Sequence, residues 1–249
     1  KKTIFKMMMV MVVLSISIIK TNDFTMEIES VFGNKKELPI YYVDTDEKKV
    51  AISFDAAWGT EHTDNILDTL DKYNVKTTFF LVDFWVNKHP DVVKEIDSRG
   101  HEIGNHSTTH PKMSELSKEG MIEEIKTTEE SIEKITGKKT NLFRPPFGDY
   151  NDALIQTCRE IDYHVIQWDV DSLDWKEMGV QPVVDKVTRN IKNGSIVLFH
   201  NNAKYISEFL PLVIDKLQKD GYKIVPISEL IHKDDYHMDS TGKQIKGAE

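Results

Sequence analysis

One cysteine, Cys158, stands among 249 residues, so no internal disulfide can form and no Cys-rich zinc or iron–sulfur site can be built. Twelve glycines and eight prolines are too few for a collagen-like or Pro/Gly-rich repeat chain. Positive charge is in deficit. The 32 Lys and Arg against 41 Asp and Glu leave a formal net charge of −9, a poor complement to a polyanion, so no nucleic acid partner is expected. There is no Gly-x-Gly-x-x-Gly or Walker-type loop, and neither a nucleotide nor a flavin is expected as a cofactor. No apolar run reaches the ~20 residues of a membrane-spanning helix. What is present, 39 % hydrophobic and 9 % aromatic residues, suffices for a sizeable core in one or two globular domains. Cys158 falls in an amphipathic stretch, 151–162, and reads as a small buried hydrophobe rather than a nucleophile.

The first twenty residues carry Lys1, Lys2, Lys6 and Lys20 and no acid, around an apolar or small run at 7–19. That run has the length of a signal-peptide core, and no Ala-x-Ala-like site follows it. Residues 1–24 are therefore expected to be a signal peptide or an N-terminal membrane anchor. The rest of the chain would lie outside the cell, free, in the wall or held at the outer membrane face. Residues 25–46 read as a lead-in, 47–232 as the domain proper, and 233–249 as a polar, frayed tail.

Within the domain, β-rich runs alternate with helical ones. Strands are expected at 49–54, 76–82, 101–104, 141–144, 164–170, 195–199 and 223–226. Helices are expected at 64–73, 91–99, 118–136, 152–161, 181–192 and 207–220. About seven strand–helix units of this kind require parallel strands with helical crossovers. The class is α/β, and the pattern alone suits a closed or distorted barrel or an open doubly wound sheet.

In such folds chemistry gathers at the C-terminal ends of the strands. Here those ends deliver Asp55, then His106 and His110, then Arg144, then Asp169, Asp171 and Asp174, and finally His200. His106 and His110, four residues apart, suit two positions of a zinc site, which also needs a carboxylate, Asp55 or another acid nearby, and an open place for water. Arg144-Pro-Pro-Phe-Gly148 fixes a permanent cation on a rigid turn, suited to holding a carboxylate such as Asp55 ionised. His200 becomes a general acid if an acid such as Asp174 raises its pKa. Trp168, Trp175 and Phe147 offer apolar walls or sugar-stacking faces. His62, His89, His164, His232 and His237 lack any such context, and His101 begins a strand.

Five ordered motifs between about 47 and 232 resemble those of the polysaccharide deacetylases, the NodB homology domain of carbohydrate esterase family 4. Ser53-Phe-Asp-Ala-Ala-Trp-Gly59 resembles the family's Thr-Phe-Asp-Asp-Gly. His106 to His110 match His-Ser/Thr-x-x-His, and Arg144 to Gly148 match Arg-Pro-Pro-x-Gly. Asp171-Ser-Leu-Asp-Trp175 matches Asp-x-x-Asp-Trp, and Leu198-Phe-His200 matches Leu-x-His. The Phe-Asp-Ala-Ala-Trp-Gly variant resembles the sporulation-associated PdaB-like branch of Gram-positive spore formers.

The resemblance implies a distorted parallel (β/α) barrel that hydrolyses N-acetyl groups from the amino sugars of a cell-wall glycan, peptidoglycan or a chitin-like oligosaccharide. It further implies a divalent metal, zinc or cobalt, on His106, His110 and Asp55. Asp55 would be the base, His200 the acid, Arg144 and Asp174 their orienting partners, and Trp175, Pro146, Phe147 and Leu198 the substrate contacts. One position departs: Ala56 replaces the family's second Asp, usually a metal ligand. Either metal binding weakens, or Asp55 is drawn onto the metal, or Glu61, His62 or Asp64 compensates. The alternative to an enzyme is a catalytically silent relative that binds cell-wall glycan through the same groove.

Overall fold

The structure, a computed structural model, describes residues 36–247. The chain divides into two units, Lys1–Glu37 and Leu38–Glu249, and the elements described here belong to the second. The expected export or anchor segment at 1–24 lies outside the described residues. Among the described residues no helix is long and apolar enough to cross a membrane.

The strands in chain order are β1 (Tyr42–Val43), β2 (Lys49–Ala56), β3 (Thr78–Leu81), β4 (Glu102–Asn105), β5 (Leu142–Phe143), β6 (His164–Val165), β7 (Val170–Asp171), β8 (Ile196–His200), β9 (Lys223–Ile224), β10 (Tyr236–Met238) and β11 (Lys243–Lys246). The helices are α1 (Thr63–Lys72), α2 (Asp83–Lys88), α3 (Pro90–Ser98), α4 (Lys118–Thr136), α5 (Asp152–Glu160), α6 (Val180–Asn190), α7 (Ile206–Lys219) and α8 (Ile227–Leu230). Seven strands run in the order β6-β5-β4-β3-β2-β8-β7, every pair parallel, and β9 pairs with the start of β2. This is the distorted parallel (β/α) barrel, with β6 and β7 at the two ends of the strand order.

The expected strand at 164–170 is two short strands, because the chain between them turns to pair elsewhere. Ile40 bridges Ile166, donating its N–H to Val165 O and accepting from Gln167 N at 2.9 and 2.8 Å. The lead-in expected at 25–46 therefore becomes part of the barrel by residue 40, and its buried Ile40 and Val43 join the core.

The polar tail expected from 233 is not frayed. β10 and β11 form an antiparallel hairpin, and β11 pairs in parallel with β1. Gln244, fully buried, donates its amide to His232 O at 2.7 Å and accepts from His232 N at 2.8 Å. Asp239 gathers Thr241 N and Lys243 N to close the turn. Two strands this short between charged residues carry too little alternation to be seen in the sequence.

Alternation along β2 explains how one strand serves both core and site. Val50, Ile52, Phe54 and Ala56 pack in the helix-side core, where Phe54 stacks on Phe79 and Phe199 at 4.9 and 5.8 Å between ring centroids. The intervening residues take the opposite face, where Ala51 packs with Phe80, Leu142, Ile166 and Ile196, and this face ends at Asp55. Helix ends follow local rules: Ser117 caps α4 by accepting from Gly120 N, and Gly137 ends it with φ +72°. Helix α2 was not legible in the sequence, since six residues are too few for a helical period. Cys158 is buried, and burial pushes its thiol up to about 12, so it stays protonated and inert.

Candidate active site

β2 carries Asp55 to the mouth of the barrel, and the strand register places it beside Phe80 of β3 and His200 of β8. Cross-strand neighbours share a face, so Asp55 and His200 look into the same space. Arg144 follows β5 and is wholly buried. Its Nη1 donates to Asp55 Oδ1 at 2.8 Å, its Nη2 to Gln167 O at 3.3 Å, and its guanidinium lies 4.1 Å from the centroid of Phe80. Burial alone would raise the Asp55 carboxyl. The charge of Arg144, aided by that of His200, outweighs it and holds the group below its ordinary range.

His106 follows β4. Its Nδ1–H donates to Arg144 O at 2.7 Å, which leaves Nε2 with a bare lone pair in the neutral ring. That atom faces Asp55 Oδ2 at 3.5 Å. Burial keeps the His106 pKa below its usual value despite Asp55, so two acceptors face one another. His110 sits edge-on to His106 with ring centroids 5.0 Å apart, and burial pushes it down to about 4. Two neutral imidazoles and a carboxylate are the donor chemistry of a zinc-class ion, and the facing lone pairs of His106 and Asp55 suit a cation between them. Among the described residues no three His, Cys, Asp or Glu side chains converge on one point, so His110 stands beside the pair rather than closing a triad.

The second pair lies on the other flank of Asp55. Asp174, buried in a short 3-10 turn, receives His200 Nδ1–H at Oδ1 (2.7 Å) and His200 N–H at Oδ2 (2.8 Å). Burial would lower the imidazole, but the Asp174 hydrogen bond and charge, then Asp55 and Asp171, raise it above 6.5. With Nδ1 committed, Nε2 is the nitrogen left for substrate.

The remaining expected residues fall into place unevenly. Phe147 and Trp175 are exposed at the rim, Pro146 is buried within its turn, and Leu198 is buried two residues before His200, on the same face of β8. Trp168 packs against the inner core, 5.6 Å from the Arg144 guanidinium. Asp169 does not join the site: its carboxylate accepts from Ser195 Oγ and Ile196 N and braces the start of β8. Ala56 is buried in the helix-side core. Glu61, His62 and Asp64 make no hydrogen bond or ion pair with Asp55, His106 or His110, so the compensation expected of them has no contact behind it. The backbone is strained here, since five of the eight non-glycine residues with positive φ among the described residues, Ser107, His110, Phe147, Leu173 and Glu177, border the mouth.

Sequence reasoning missed several supports. Glu124 of α4 accepts from Thr108 N and Thr109 N at 2.8 Å and from Thr109 Oγ1 at 2.7 Å, which ties the histidine loop to a helix. Asn105 accepts from Ser107 N and donates to Ile125 O on the same helix. Phe80 beneath Arg144 carried only the signal of strand alternation. Trp85 Nε1 and Asn201 Nδ2 both donate to Gly59 O, at 2.7 and 2.9 Å, and pin the turn after Asp55.

The family model for polysaccharide deacetylase matches residues 42–166. A peptidoglycan-N-acetylglucosamine deacetylase of Bacillus cereus is 37 % identical over 194 residues, 76 % of this chain and 91 % of its own. The uncharacterized protein YlxY of Bacillus subtilis is 35 % identical over 193 residues, 78 % of this chain, and the match takes in 60 % of that relative's length. A solved structure of a wild-type CE4 family pseudoenzyme from Bacillus anthracis aligns with a TM-score of 0.75 at 33 % identity, over 85 % of this chain and 73 % of that one. A mutant of the pseudoenzyme with restored enzymatic activity aligns equally well, at 37 % identity over 79 % and 71 %. The chain belongs to the polysaccharide deacetylase family.

Proposed function

We propose that the protein is a metal-dependent hydrolase that removes N-acetyl groups from the amino sugars of peptidoglycan or a related cell-wall glycan. The observation that carries this reading is the pairing of Asp55 with His200 on adjacent strands, each with a dedicated partner that drives its pKa in the direction its task needs. A groove that only held sugar would gain nothing from a carboxylate kept ionised and an imidazole kept protonated by partners 89 and 26 residues away.

His106 and His110, with Asp55 beside them, would hold a divalent ion, zinc or cobalt. When bound, such an ion polarises the acetamide carbonyl and makes water acidic enough to attack near neutral pH. Asp55 takes the proton of the attacking water, Arg144 keeping the carboxylate charged and aimed. The C–N bond then breaks as His200 Nε2–H protonates the departing amine, and Asp174 stabilises the imidazolium beforehand. Acetate and a free amino sugar leave. Trp175, Phe147, Pro146 and Leu198 shape the place of the acetyl group and sugar. A substrate in the cell wall accords with the export segment read at 1–24 and with the resemblance to the sporulation-associated branch.

A second reading, a silent glycan-binding relative, is favoured by Ala56 in the place of a carboxylate ligand and by the likeness to a pseudoenzyme. Acetate release from N-acetylated peptidoglycan, with added zinc or cobalt and after chelation, separates the two. Metal-dependent release supports the hydrolase; glycan binding without release supports the silent relative.

A further inference from the structure

Four aromatic rings form a row that leads away from the site. Phe147 contacts His110 at 4.6 Å between centroids, His110 contacts Trp58 at 5.3 Å, and Trp58 contacts Phe84 at 6.4 Å. Phe147, Trp58 and Phe84 are 68 %, 56 % and 40 % exposed, which places them among the exposed large hydrophobic side chains of the described residues. Scattered exposed aromatics need no explanation, but a contiguous set that includes a candidate metal ligand does.

The row is also built to stay in place. Trp58 stands on a turn where Gly59 takes φ +65°. The Gly59 carbonyl receives both Trp85 Nε1–H, from the helix that carries Phe84, and Asn201 Nδ2–H, from the end of β8. Asn201 N–H in turn donates to Asp55 O at 3.1 Å. The platform and the reactive carboxylate are thus fixed to one another through a few hydrogen bonds, the preorganisation a binding surface requires.

We infer that Trp58, with Phe84, is a stacking subsite for a sugar ring adjacent to the one that is deacetylated, so that the site selects a polymeric glycan over a single amino sugar. The inference rests on the glycan reading of the site. A pyranose presents an apolar C–H face that lies on an aromatic ring while its hydroxyls and acetamide stay in water. Its continuity with His110 argues for the same ligand passing from site to row, rather than for a separate partner.

Calorimetry on the full chain, with chelator present so that binding is read without turnover, tests it with the N-acetylglucosamine monosaccharide and hexasaccharide. Trp58→Ala is expected to weaken hexasaccharide binding about tenfold and leave the monosaccharide unchanged, while Trp58→Phe keeps most of the affinity. With metal restored, KM for the hexasaccharide should rise by a similar factor at constant kcat. Equal effects on both lengths, or none, overturn the subsite. If wild-type protein releases no acetate yet prefers the hexasaccharide through Trp58, the hydrolase fails and the subsite stands. If it releases acetate and Trp58→Ala keeps the same length profile, the subsite fails and the hydrolase stands. No binding of either sugar, or a Trp58→Ala change seen only in self-association, overturns the subsite as well.

Discussion

Asp55 and His200 occupy paired positions on the neighbouring strands β2 and β8, and their environments displace them in opposite directions. Burial would neutralise both. Instead Arg144 holds the carboxylate ionised and Asp174 holds the imidazole protonated, so a base and an acid coexist at one pH. Parallel strands lie only ~4.8 Å apart, which brings both groups within reach of one scissile bond.

In the proposed reaction the raised His200 pKa sets the alkaline limb of activity. The protonated ring persists above pH 6.5, and activity is lost as pH rises through the raised value. In Asp174→Asn the carboxylate charge beside the ring is lost while burial remains, so the limb should move to lower pH and kcat at pH 7 should fall. A pH–rate profile of the variant reads this directly, and an unmoved limb would show that another group governs it.

The Asp55–Arg144 pair is buried, so losing one partner should cost more than losing both. Arg144→Met leaves the Asp55 charge without its guanidinium and is expected to destabilise the protein by about 3–5 kcal/mol. The double variant Arg144→Met/Asp55→Leu should recover much of that stability while remaining inactive. Urea denaturation of the single and double variants gives the comparison, and additive losses would contradict it.

Glu124 touches neither Asp55 nor the imidazoles, yet it holds the backbone of the loop between His106 and His110. Glu124→Ala should loosen that loop and lower affinity for a divalent ion by roughly 10–100-fold, the usual effect of removing a support behind metal ligands. Competition with a chromophoric chelator measures this, and unchanged affinity together with unchanged stability would remove Glu124 from the account.

His101 is a separate source of acid sensitivity. It is buried edge-on to Phe79, neither ring nitrogen has a hydrogen-bond partner, and burial, aided by Lys76, pushes its pKa to about 4. A histidine whose folded pKa lies below the unfolded value of 6.5 favours unfolding when protonated. Its contribution is therefore whole above about pH 6.5 and is lost as pH falls toward 4, roughly 3 kcal/mol in all. His101→Leu should flatten the stability curve between those limits, as followed by thermal melts.

Much of the site was legible because parallel strands deliver their chemistry at one end. Asp55, His106, Arg144, Asp174 and His200 each follow an apolar run, and the structure brings all five to one mouth. Asp169 follows such a run too, but it sits where the chain turns between strands, and its carboxylate serves Ser195 and Ile196. Glu124 was invisible because its task is to receive backbone N–H groups sixteen and fifteen residues away, which no spacing on its own helix reveals. Phe80 and Trp58 read as ordinary apolar residues until the fold placed one beneath Arg144 and the other at the rim. The lead-in and the tail failed for a common reason: β1, β10 and β11 are two to four residues long and owe their order to pairing with one another and with the barrel seam.

Acetate release from N-acetylated peptidoglycan by the full chain, compared with Asp55→Asn and with chelated protein, tests whether Asp55 and a bound metal drive the hydrolysis. Release is expected to need the metal and to fall by about 10²–10⁴-fold in Asp55→Asn. Folded protein that binds the glycan and releases nothing, or release that survives Asp55→Asn, would contradict that expectation.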